Sequence, residues 1–227
     1  MTSKIKNSPK EFWALLVVPL ELIIGNLLVE IPFFKKSANL SLALVVFLAV
    51  VAFLIIVITF REFLISQWHL YWTKWGWLKF LINIALVFLT STVLSLTRTG
   101  LDSLSASPKQ LLISTGINLL IAAIPPFLAA FAEEITFRYL LFGKFNQGSL
   151  KIIMFFVSSI LFGLAHLANF NGDLLETVPY MVLGAYFALI YFFYDNIWGS
   201  IFTHWMFNSM NILLPALILI YQGIIMK

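Results

Sequence analysis

Cysteine is absent from this 227-residue sequence. Its absence excludes a disulfide framework, a thiolate metal site and a cysteine nucleophile. Charge is scarce too: Asp, Glu, Lys and Arg make up 11% of the chain, where soluble domains carry about 25%. That scarcity excludes an ordinary globular enzyme, a disordered regulator and a nucleic-acid module, so no nucleic-acid partner is expected. What is present is apolar: 61% hydrophobic residues, 16% aromatic, and a mean hydropathy of +0.98. The formal charge of +4 comes from basic residues scattered at the ends of apolar stretches, the distribution a bilayer imposes. The composition predicts an all-α, polytopic transmembrane helical bundle whose surroundings are the lipid bilayer.

A bilayer core needs about 20 apolar residues per helix. On that criterion candidate spans fall near 12–31, 39–60, 78–97, 111–142, 150–169, 176–194 and 197–225. The fourth contains Pro125-Pro126 and should kink or begin with an interfacial turn. The seventh carries Pro215 and is either one tilted helix or two shorter ones, giving seven to eight in all. No repeat or soluble linker divides the chain, so residues 1–227 read as one integral membrane domain. The first apolar run holds Pro19 and Glu21 and lacks a small-residue cleavage pattern, as a membrane helix does and a cleaved signal peptide does not. Lys4, Lys6, Lys10, Arg61, Lys74, Lys79, Lys144 and Lys151 fall on one side, against Lys35, Lys36, Arg98 and Lys109 on the other. This bias predicts a multi-pass cell-membrane protein with its N-terminus in the cytoplasm. The aromatic stretch from Gln67 to Trp77 reads as an interfacial belt.

Charges inside a span are the informative exceptions. Glu133, Glu134 and Arg138 fall within six residues, at a gross cost of roughly 8–10 kcal/mol before pairing. Glu134 and Arg138 are four apart and share a helix face, so they can pair. Glu133 lies about 100° away around the helix and is left without that partner, which suits a general base or acid. Two histidines complete the set: His166 late in the fifth span, and His204 in the seventh, four residues before Asn208 on the same face. Gly163 allows a neighbouring helix to approach closely. Counted at 1.5 Å per residue from the inner ends, Glu133, His166 and His204 lie roughly 16, 22 and 14 Å deep. Helix tilt can absorb the spread. Glu21, Glu30, His69 and Asp173 read as structural, interfacial or loop residues.

Glu133-Glu134-x-x-x-Arg138, Phe162-x-x-x-His166 and His204-x-x-x-Asn208, in that order, resemble the three motifs of the CPBP intramembrane proteases. That family (CAAX protease and bacteriocin-processing, Abi/Rce1-like) includes the CAAX prenyl endopeptidase and bacterial bacteriocin-processing and immunity proteins. The resemblance covers about residues 111–215, while residues 1–110 supply helices without a matching motif. It implies that Glu133 activates a water that His166 helps to hold. It further implies that His204 and Asn208 bind the substrate carbonyl and the developing oxyanion, with Glu134 and Arg138 in support. Members are often called metalloproteases, and His166, His204 and Glu133 would be an adequate zinc set with an open position. The same residues serve a mechanism with no cofactor, and both readings stay open. No H-E-x-x-H, G-x-S-G or pair of membrane aspartates offers another protease chemistry. The expected partner is a peptide or protein substrate, such as a bacteriocin or other peptide precursor in maturation or self-immunity. Rival readings are a non-catalytic immunity or binding protein and a small transporter using the buried charges as an ion path.

Overall fold

The computed structural model describes residues 9–73, 75–96, 109–145 and 147–225. The expected inner and outer basic residues Lys4, Lys6, Lys74 and Arg98 lie outside them, as do the side chains of Lys10 and Lys109 and the end of the third span. All regular structure among the described residues is helical. A 3-10 segment, Pro9–Leu16, leads into α1 (Val17–Val29), followed by short α2 (Pro32–Lys35), α3 (Ala38–Thr59), α4 (Arg61–Thr73) and α5 (Gly76–Leu96). Then come α6 (Lys109–Ala122), α7 (Ile124–Glu133) with a π-helical continuation (Glu134–Gly143), α8 (Gly148–Leu164), α9 (Val178–Tyr194), α10 (Ile197–Asn208), a second π segment (Ser209–Leu213) and α11 (Leu214–Ile225).

Among the described residues, five helices are long and apolar enough to cross a membrane: Glu11–Val29, Ala38–Thr59, Leu112–Gly143, Leu175–Tyr194 and Ile197–Ile225. The chain is a multi-pass membrane protein, and the expected seven to eight spans are not confirmed by length and composition among the described residues. Two expected spans account for the difference. Helix α4 meets α5 at 93°, so the pair makes at most one broken span and raises the count to six. Helix α8 has 17 residues and stops at Leu164, which leaves His166 in the turn beyond it. Neither proline region divides its span: Pro125 and Pro126 fall in the first turn of α7, where missing N–H groups cost little, and α10 runs through a π segment into α11.

Helix α7 and its π continuation form the centre of the bundle, packed against α3, α8, α9 and α10, while α6 pairs with α11. The core joins Phe131, Ala132 and Ile135 of this helix to Ala52 and Ile56 of α3, Phe162 of α8, Phe187 of α9 and Ile201 of α10. Helices α8 and α9 approach closely through glycines. A Cβ on Gly163 would lie 2.2 Å from Met181 Cγ and 2.8 Å from the Met181 backbone nitrogen. One on Gly184 would lie 2.9 Å from the Ser159 carbonyl oxygen. The aromatic belt is corrected in part. Trp75 and Trp77 are exposed, but Tyr71 is fully buried, and Trp68 stacks edge-on with Trp198 at 4.7 Å because α4 packs against α10.

Candidate active site

The first motif sits where α7 loosens into a π-helix, with Lys144 N–H donating to Tyr139 C=O five residues back. Such segments are rare and recur at functional sites. Glu134 and Arg138 are both fully buried, and Arg138 Nε lies 3.2 Å from Glu134 Oε2. The guanidinium also donates from Nη2 to the Gly184 carbonyl at 3.3 Å, reachable because α9 comes so close to α8. Its face lies over the Phe162 ring at 4.3 Å, with Phe187 at 5.4 Å. Aromatic faces are favourable ground for a desolvated cation.

Glu134 has a second partner, which its spacing from Arg138 does not reveal. His204 Nδ1 lies 2.9 Å from Glu134 Oε1. A carboxylate can only accept, so Nδ1 carries the proton and the other nitrogen is turned outward. That nitrogen, Nε2, lies 3.7 Å from Glu133 Oε2. The imidazole stacks on Phe187, with centroids 4.6 Å apart and planes at 23°. The result is a row, Arg138–Glu134–His204–Glu133, in which each group orients the next. Glu133 is therefore not isolated, as its position around the helix suggested. Its Oε2 is nonetheless buried and has no hydrogen-bond partner among the described residues.

The other two motif residues stand differently from expectation. Among the described residues His166 forms no hydrogen bond or ion pair with Glu133 or His204, and the Phe162 ring neighbours both histidines, 5.1 Å from the His166 centroid and 5.8 Å from that of His204. His166 Nδ1 lies 2.9 Å from the Phe162 carbonyl, and its ring stacks on Tyr180 at 4.3 Å. Since a carbonyl only accepts, Nδ1 is the donor, and Nε2 of the neutral ring is an acceptor. Asn208 shares the α7-facing side of α10 with His204, as its spacing implies. However, its amide Nδ2 donates to the Pro126 carbonyl at 3.0 Å, beside a bond from Trp205 Nε1 to the Phe127 carbonyl at 2.7 Å. These bonds tie α10 to the start of α7.

The zinc set is not assembled. Among the described residues, no group of three or more His, Cys, Asp or Glu side chains is placed to hold a metal ion. His204 and Glu133 face one another, but His166 pairs with neither, and Glu134 lies on the opposite nitrogen of the imidazole. Beside the site lies an apolar cavity of about 650 Å³. Val18 and Leu22 of α1, Thr136 and Phe137 of the π segment, and Leu164 and Ala165 at the end of α8 contribute to its wall. Sequence reasoning missed Phe187, which no motif marks, and Phe162 as a ring neighbouring both histidines.

Residues 114–210, which carry all three motifs, match the family described as type II CAAX prenyl endopeptidase Rce1-like. This segment is similar to that family. The resemblance read from the motifs is thereby shown for this segment. Over 118 residues, 52% of this chain, it is 29% identical to the Bacillus subtilis (strain 168) protein named "Putative membrane peptidase YdiL". The match covers 42% of that relative's length. No solved structure gives a significant match.

Proposed function

We propose that this protein is an intramembrane endopeptidase in which Glu133 activates the attacking water. The observation that carries the reading is the row Arg138–Glu134–His204–Glu133, which ends in a carboxylate oxygen without a hydrogen-bond partner. Burial of such an oxygen is costly unless a bound group satisfies it, and a water or substrate group does so at an active site. The similarity to Rce1-like endopeptidases supports the same chemistry.

In this reading Glu133 takes a proton from water as the hydroxyl attacks the scissile carbonyl carbon. The new oxyanion is met by His204 at Nε2, the nitrogen turned away from Glu134, in its N–H form. When the C–N bond breaks, the leaving nitrogen takes the proton from Glu133. Glu134 fixes the orientation of His204, and Arg138 holds Glu134 in place. His166, with Nε2 as acceptor, holds the second hydrogen of the water in a substrate-bound arrangement. Asn208 keeps α10 against α7, so its contribution is positional. No step passes through zinc, since the candidate ligands are not gathered. The substrate is a membrane-associated peptide precursor, of the kind matured as a pheromone or bacteriocin.

Cleavage of candidate precursors in proteoliposomes, by wild type and Glu133→Gln and with and without a zinc chelator, tests the reading. Cleavage lost in the variant and unaffected by chelator is the expected result. Loss on chelation would establish a metal mechanism. Equal behaviour of wild type and variant, with both protective in a toxin challenge, would make the protein a binder.

A further inference from the structure

We propose that Tyr180, near the start of α9, is a positioning residue for His166. Its ring face fixes the plane of the imidazole, and with it the direction in which Nε2 accepts a hydrogen bond. The proposal deepens the peptidase reading above and rests on it. Tyr180 belongs to none of the three sequence motifs.

His166 stands clear of its helix. Helix α8 ends at Leu164, and His166 follows in a turn that its N–H closes on the Gly163 carbonyl at 3.0 Å. Its φ of −94° and ψ of 4° fall in the sparsely populated bridge region, where turn residues and many active-site residues sit. The hydrogen bond from Nδ1 to the Phe162 carbonyl, at 2.9 Å, pins one atom of the ring. One pinned atom does not define a plane, because the torsion that turns an imidazole about its own axis has broad wells. A face contact supplies what the hydrogen bond leaves open. The Tyr180 ring lies 4.3 Å from the His166 centroid, with the planes at 27°. The Phe162 ring stands farther off and more steeply inclined, at 5.1 Å and 48°. Tyr180 therefore sets the plane.

Tyr180 is itself held in place. Pro179 stands in the first turn of α9, and Phe170, on the 3-10 turn just after His166, meets Tyr180 edge-on at 5.5 Å. The neighbours of Tyr180 press on the end of α8. A Cβ on Gly163 would lie 3.0 Å from the Thr177 carbonyl oxygen and 2.2 Å from Met181 Cγ. Gly163 precedes His166 by three residues, so the close approach of the two helices lies beside the histidine. Tyr180 also packs on the core that contains Phe162 and Phe187, the rings beneath Arg138 and His204. The brace thus shares its support with the rest of the site. In the mechanism above, Nε2 of His166 holds a hydrogen of the attacking water, and misplacing such a group by about 1 Å can cost about 10²-fold in rate. Tilting the ring moves that acceptor and leaves the substrate's other contacts alone, so the effect falls on kcat rather than KM.

The test uses the full chain in phosphatidylcholine nanodiscs, as parent, Tyr180→Phe and Tyr180→Leu, each also on a His166→Gln background. Ring resonances are read by NMR on protein carrying isotope-labelled histidine. The chain has three histidines, and His166→Gln identifies the signals of His166. A stacked aromatic face displaces those ring protons upfield. The displacement is expected in the parent and in Tyr180→Phe, and is lost in Tyr180→Leu. In cleavage of a peptide precursor, Tyr180→Phe should stay within about twofold of the parent, and Tyr180→Leu should lower kcat about 10²-fold at unchanged KM. On the His166→Gln background Tyr180→Leu should not lower the residual rate further, because groups that act as a unit are not additive. Three results overturn the proposal: His166 resonances or a kcat that Tyr180→Leu leaves unmoved, the same fold-loss on both backgrounds, or a loss in Tyr180→Phe equal to that in Tyr180→Leu. The second would mean general support of the fold, and the third would give the role to the hydroxyl. A parent that cleaves nothing, yet shows the displacement and loses it in Tyr180→Leu, would refute the peptidase reading and leave the brace standing. Cleavage with unmoved His166 resonances would do the reverse.

Discussion

At the scale of single residues, the site depends on which oxygen faces which nitrogen. Glu133 and Glu134 are chemically identical neighbours, yet one has an arginine and a histidine nitrogen and the other only the far side of that imidazole. Their replacement should therefore give different results. Glu133→Gln keeps shape and hydrogen-bonding capacity and removes the base. Peptide cleavage should fall by 10²–10⁴-fold, with the thermal unfolding midpoint in detergent unchanged. Arg138→Met instead strands Glu134 in an apolar core, and loss of one partner of a buried pair costs about 3–5 kcal/mol. That variant should show a lowered unfolding midpoint and a fall in membrane-inserted protein, measured by fluorescence-detected chromatography. Motif spacing made the Glu134–Arg138 pair legible in the sequence. It did not reveal the His204–Glu134 bond, which joins residues 70 apart in the chain.

At the scale of elements, the α8–α9 contact sets the position of the Gly184 carbonyl and of the aromatic rings on which Arg138 and His204 rest. Gly163→Ala would put a methyl group 2.8 Å from a backbone nitrogen of α9, a clash that no side-chain rotation relieves. Such overpacking costs about 1–3 kcal/mol, and the helices must part. The expected outcome is reduced thermal stability together with reduced cleavage, since moving α9 shifts Gly184 and Phe187. Retention of both would show that the contact is more compliant than its geometry implies. The small residue at this position was readable as a close-approach site. The loosening of α7 into a π-helix was not readable, because its residues carry ordinary helix-compatible patterning and only the packing reveals the wider turn.

At the scale of the whole molecule, the first helix forms one wall of the cavity, and its leading segment is clamped to the central helix. Glu11 Oε2 accepts from Lys144 Nζ and from Tyr139 O–H at 3.2 Å, and Lys144 is almost wholly buried there. Tyr139 in turn stacks on Phe63 with centroids 4.0 Å apart, so the clamp reaches the α3–α4 junction. Glu11→Gln should free the leading segment more than the bundle. Hydrogen exchange is expected to rise over Pro9–Val29 while the π segment stays protected. Faster exchange throughout would mean that the clamp supports the entire fold.

The sequence by itself determined the solvent of this protein, its all-helical class and the order of its three motifs. Each of these follows from local properties: the cost of charge in hydrocarbon, the periodicity of apolar residues, and spacings of three and four within one helix. The tertiary structure decided everything that depends on distances between helices. It placed the two carboxylates about one imidazole, set the Phe162 ring against both histidines and turned Asn208 to the Pro126 carbonyl. Helical spacing fixes only the face from which a side chain leaves its own helix. What that face meets is set by the crossing of neighbouring helices, and at Gly163 and Gly184 that crossing depends on side chains too small to carry a functional signal.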